Sequence, residues 1–207
     1  MPYKFTNNTD HQYAYDLQCM LNYISGLFSN LQLCATIPSN IKASDLQFVM
    51  PHKVYTLNIE VGCDENKNAL SNAVLVGKRY IVSTCDTPVG AMELYYILDD
   101  RDEDADLQLL QSININVGPY VAATIKAFNI LMLHPLVIDG NYEVCILRCG
   151  PLFLWSIWLK TADGCNDLIY PLSSIAECDK LRGGVLYTYK EFNELFYNIT
   201  MDIVNTI

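Results

Sequence analysis

Basic residues are scarce in this chain. Lys and Arg number 13 against 23 Asp and Glu, which gives a formal net charge of −10 and an isoelectric point near 4.6. A phosphate backbone is gripped by clustered Lys and Arg, and here only Lys78-Arg79 are adjacent. Nucleic acid is therefore excluded as a partner, and an anionic membrane surface is disfavoured on the same ground. Long hydrophobic runs are lacking too. The longest, Val121–Leu133 and Cys149–Leu159, are flanked or interrupted by Lys126, Arg148 and Lys160. They fall short of the roughly 18 to 20 apolar residues of a membrane span.

Other absences narrow the reading further. Met1–Asp10 carries no apolar h-region, so no secretory leader is expected. No glycine-rich phosphate cradle is present: Arg182-Gly183-Gly184 lacks the Lys-Ser/Thr that completes such a loop. No Gly/Ser- or Pro-rich linker divides the chain, and no repeat of fixed period is visible. A single domain over residues 1–207 is the expectation, with enough apolar material (51% of residues) for a substantial core.

Cysteine, by contrast, is plentiful, with eight residues. Cys19, Cys34 and Cys145 sit among apolar neighbours, where free cysteine behaves as a small buried hydrophobe. With no leader, this composition indicates a reducing, cytoplasmic setting. The Asn-x-Thr triplets at Asn7 and Asn198 are then chance matches rather than glycosylation sites.

Periodicity supplies the elements. Tyr13, Leu17, Met20, Leu21, Ile24, Leu27, Phe28 and Leu31 recur at helical steps, after a Thr9/Gln12 pair resembling a capping box. Val54–Val61 reads as a strand, and Ala73–Val76 with Tyr80–Thr84 reads as a hairpin turning at Gly77-Lys78. Met92–Leu98 is a further strand, while Asp102–Gln111 and Pro119–Leu133 read as helices. Tyr142–Arg148, Leu152–Thr161 and Leu168–Leu172 are joined by short turns, so they are antiparallel neighbours. Leu152–Leu159 is apolar on both faces, which marks a strand covered on both sides. Tyr189–Ile207 closes the chain as a helix. The order does not alternate strand and helix regularly. The expected fold class is α+β: a mostly antiparallel sheet with helices packed against it, and helices at the N- and C-terminal ends.

A few residues have the chemistry of a site. Asp100, Asp102 and Asp104 fall at positions one, three and five of a calcium loop, but Ala105 replaces its glycine and Gln111 its bidentate Glu. They are the metal candidates of the acidic run, and a solvated loop entering a helix is the better reading of them. Cys145 and Cys149 are spaced as a metal pair would be on a helix. On a strand they lie about 13 Å apart, too far for one zinc. A thiol-dependent site would join Cys85 or Cys165 to His134 and a carboxylate, although no family motif surrounds either cysteine. His134, before Pro135, also fits a residue capping helix carbonyls. No cofactor is expected. The composition favours an acidic cytosolic protein-binding or regulatory module without its own catalysis, taking a basic protein partner or a second copy. The competing expectation is a hydrolase-like enzyme, thiol-dependent, whose site assembles only in the fold.

Overall fold

Runs of β-branched and aromatic residues bounded by turn chemistry become strands, and amphipathic stretches become helices. The computed structural model describes residues 3–4, 10–29, 42–60, 68–85, 87–96, 110–116, 119–173 and 180–205. In chain order these form β1 (Tyr3–Lys4), α1 (Asp10–Ser29), β2 (Gln47–Thr56), β3 (Val74–Thr84), β4 (Thr87–Tyr96) and β5 (Leu110–Asn116). There follow α2 (Pro119–Leu131), β6 (Tyr142–Cys149), β7 (Leu154–Lys160), β8 (Leu168–Pro171), β9 (Tyr187–Thr188) and α3 (Tyr189–Val204). Strand pairing is mixed but mostly antiparallel, with α1 and α3 toward the two ends, so the chain is α+β. Among the described residues no helix is long and apolar enough to cross a membrane.

The chain gathers into two compact units. One comprises residues 1–5, 53–75 and 123–207, and the other residues 6–52 and 76–122. In the first, β6, β7 and β8 form the antiparallel meander expected from their short turns. β9 continues it, while β1 and β2 pair with β6 in parallel. Both faces of β6 and β7 are largely buried, as their mostly apolar sequences require. One face meets α3: Phe192, Phe196 and Ile199 pack with Cys145, Leu147, Leu154, Trp158 and Ile169. Each such large side chain contributes about 2–3 kcal/mol on burial. α3 begins at a full capping box. The Thr188 hydroxyl accepts from the Glu191 amide, and the Glu191 carboxylate accepts from the Thr188 amide.

In the second unit, β3, β4 and β5 are antiparallel, and α1 lies on one face of them. Met20 and Ile24 of the helix pack with Tyr80, Val82, Met92 and Leu94. The buried stripe of α1 is Gln12, Asp16, Met20 and Ile24, whereas Tyr13 is exposed and Leu17 and Leu21 are only partly covered. The helix is thus rotated from the face that its apolar residues mark, because two polar residues find partners inside. β3 also corrects the sequence reading. It runs unbroken through Gly77-Lys78 instead of turning there, and Thr84 pairs with Thr87 across the real turn. A Cβ on Gly77 would stand 2.2 Å from the Leu94 carbonyl oxygen, so the glycine serves close backbone approach. β2 begins at Gln47 rather than Val54 and ends at Thr56, passing through Met50 at φ 56°. Residues 110–111, expected to end a helix, begin β5.

Candidate functional site

The residues singled out by their chemistry lie on different elements. Cys85 is exposed at the turn between β3 and β4, with φ 44°. Cys165 is exposed in the β7–β8 turn, where its amide donates to the Asp163 carboxylate at 3.0 Å. That carboxylate also accepts the Thr161 hydroxyl at 2.9 Å, and these bonds hold its pKa below the usual range. His134 is half-buried after α2. Its Nδ1 accepts the Leu136 amide at 3.3 Å, so the ring helps shape the following turn. Asp100, Asp102 and Asp104 lie outside the described residues. Cys145 and Cys149 are buried along β6. Burial, then the Glu143 charge, pushes the Cys145 thiol up, and burial does the same at Cys149. Both stay as thiols, the less reactive form. Among the described residues no group of three or more His, Cys, Asp or Glu side chains is placed to hold a metal ion.

A polar cluster that the spacing did not reveal lies under α1. Asp16 is fully buried, and its carboxylate accepts from the Tyr80 hydroxyl at 2.6 Å, the Tyr96 hydroxyl at 2.7 Å and the Gln12 amide at 2.8 Å. Lys78 adds a positive charge 4.0 Å away and lies 5.5 Å from the centre of the Tyr96 ring. Burial first, and then the Asp16 charge, raises the Tyr96 pKa far above that of an ordinary phenol. The Tyr96 hydroxyl therefore remains a donor. The Tyr80 and Tyr96 hydroxyls meet one carboxylate because β3 and β4 are paired and α1 crosses their shared face.

Alternation along β3 sends Arg79 to the opposite face from Lys78 and Tyr80. Arg79 is fully buried, with Glu93 Oε1 of β4 at 3.7 Å. The Tyr95 hydroxyl donates to the other Glu93 oxygen. His52 is buried as well, with Nδ1 2.6 Å from the Met50 carbonyl oxygen. Burial, and next the Arg79 charge, pushes its pKa down to about 3 against the smaller opposing effect of that hydrogen bond. The imidazole is neutral, and Nδ1–H is the donor.

Among the described residues, the first unit carries an exposed apolar stretch. After α2, Leu133, His134, Val137, Ile138 and Gly140 are held by successive backbone hydrogen bonds of 2.9–3.2 Å. Val137 is fully buried and anchors this segment. Around it Ile130, Met132, Leu133, Leu136 and Ile138 are 42–80% exposed. Single exposed hydrophobics are ordinary, but here five fall within nine positions on a hydrogen-bonded backbone. The helix expected over Pro119–Leu133 ends at Leu131, and apolar spacing alone does not distinguish covered from exposed positions.

Comparison with protein-family models, with curated proteins and with solved structures finds no match.

Proposed function

We propose that the chain is a protein-binding module without catalysis of its own, docking a partner on the ledge formed by Ile130, Met132, Leu133, Leu136 and Ile138. The observation carrying this reading is their exposure on a hydrogen-bonded backbone. A ledge of this kind loses apolar hydration only when another surface covers it. The net charge of −10 selects the occupant. Two copies would bring like charges together, whereas a basic protein gains attraction and a faster encounter. The partner is therefore a protein with apolar docking residues and a basic rim. The described cysteines are free thiols, in keeping with a cytosolic setting.

Native mass spectrometry of the untagged protein from its own source is the first test. A foreign basic chain bound to the 23.4 kDa subunit supports the reading, and a bare monomer or a homomer counts against it. Leu133→Asp combined with Leu136→Asp should then weaken that complex by at least about 30-fold, since burying two leucines is worth roughly 2–4 kcal/mol. The same variant should unfold like the parent, within about 0.5 kcal/mol, because both side chains face solvent.

A further inference from the structure

We infer that β5 is a docking edge, to which an extended segment of a partner protein adds as a further strand. β5 stands at one end of the strand order. It pairs with β4 on one side, and among the described residues nothing pairs with its other side. Ser112–Asn116 run in unbroken register against Tyr95–Ala91, and the register shift falls before them, between Tyr95 and Tyr96. Alternate residues of such an edge turn a backbone N–H and C=O outward, a row that an added strand satisfies in series. Edges that are to stay unpaired carry charge, proline or a bulge. Leu110-Gln111-Ser112-Ile113-Asn114-Ile115-Asn116 has neither charge nor proline, and its bulge-free part is about 17 Å long.

The side chains of β5 state the chemistry of the occupant. Ile113 and Ile115 pair with Leu94 and Met92 and pack against the cluster under α1, yet they are only partly buried where Leu94 and Met92 are fully buried. Ser112 and Asn114, on the other face, are exposed. An added strand therefore continues the aliphatic row with β-branched residues and sets small polar residues beside Ser112 and Asn114, in strict alternation. The net charge of −10 adds basic flanks to that pattern and opposes pairing of β5 with a second copy. These observations belong to the second unit, whereas the ledge belongs to the first.

Binding of a fluorescein-labelled synthetic peptide, Lys-Lys-Thr-Val-Thr-Val-Thr-Val-Lys-Lys, to the full-length chain tests the assignment. Its anisotropy should rise saturably, and amide hydrogen exchange within residues 112–116 should slow by at least about tenfold on binding. Two further peptides, N-methylated at every valine or at every threonine, keep the side chains and the charge. Whichever set turns its amides to β5 cannot form the ladder, so one of the two should bind at least about tenfold more weakly. Asn114→Lys places a charge at the exposed middle of the edge. It should weaken the unmethylated peptide to a similar extent, with a melting temperature within about 2 °C of the parent. Absence of saturable binding overturns the inference, as does undiminished binding of both methylated peptides. Exchange protection at residues 130–138 instead of 112–116 would place the peptide on the ledge and equally overturn it. Slowed exchange at 112–116 on concentrating the protein alone would give the edge to a second copy, with the same consequence. Leu133→Asp with Leu136→Asp should leave peptide binding unchanged, so failure at one surface is distinguishable from failure at the other.

Discussion

His52 shows how much one side chain can impose on the chain's response to acid. Its imidazole is fully buried and neutral, whereas in the unfolded chain it takes up a proton near the ordinary value of about 6.5. Because the folded pKa is depressed to about 3, the unfolded state binds more protons throughout the interval between these values. Stability therefore falls as pH drops below 6.5, by at most about 1.4 kcal/mol per pH unit. Urea unfolding at pH 7, 6 and 5 should give a steeper decline for the parent than for His52→Asn, and equal slopes would refute the role assigned to this ring. Ser156 presents the opposite case. It is fully buried on β7, across from Leu147 and Pro171, and its hydroxyl has no hydrogen-bond partner among the described residues. Ser156→Ala removes the desolvated hydroxyl from an apolar face, so the urea midpoint should stay the same or rise, by up to about 1 kcal/mol of stability. A loss of 1 kcal/mol or more would reveal a partner for that hydroxyl.

Among the elements, α1 depends most on a polar contact. Met20 and Ile24 supply the apolar half of its buried stripe, and Asp16 with Gln12 supplies the other half. Asp16→Ala strands two buried tyrosine hydroxyls and removes the countercharge to Lys78, a loss of about 2–4 kcal/mol. Tyr80→Phe alone should cost about 1–2 kcal/mol and much less in the Asp16→Ala background, and a double-mutant cycle measures the difference. Additive losses would mean that the two groups do not act through each other. None of this is legible in the sequence, because Asp16, Tyr80 and Tyr96 are far apart along the chain and pattern reading treats tyrosine as apolar. β6, β7 and β8 are legible because turn residues bracket each run and most side chains between are apolar and buried. β3 is misread for a physical reason: glycine signals a turn by its positive φ and close approach by its missing Cβ, and Gly77 uses the second property. Gly77→Ala should accordingly destabilise by about 2 kcal/mol or more, since its new methyl would meet the backbone of Leu94.

At the scale of the whole molecule, charge and apolar exposure oppose each other, and salt sets their balance. A net charge of −10 repels a second copy over a screening length of about 30 Å at 0.01 M salt, which shrinks to about 3 Å at 1 M. The apolar ledge is indifferent to such screening. Sedimentation velocity at pH 7.5 should therefore find a 23.4 kDa monomer in dilute salt and reversible self-association in concentrated salt. Leu133→Glu with Leu136→Glu should remain monomeric in both. Binding of a basic partner should respond with the opposite sign, weakening as salt rises because its encounter is drawn by unlike charges. The two slopes separate the readings cleanly. A hetero-complex that weakens with salt and is lost with the double variant places the partner on the ledge. Self-association that is equal in parent and variant would mean that some other surface drives it and that the ledge is not the docking face.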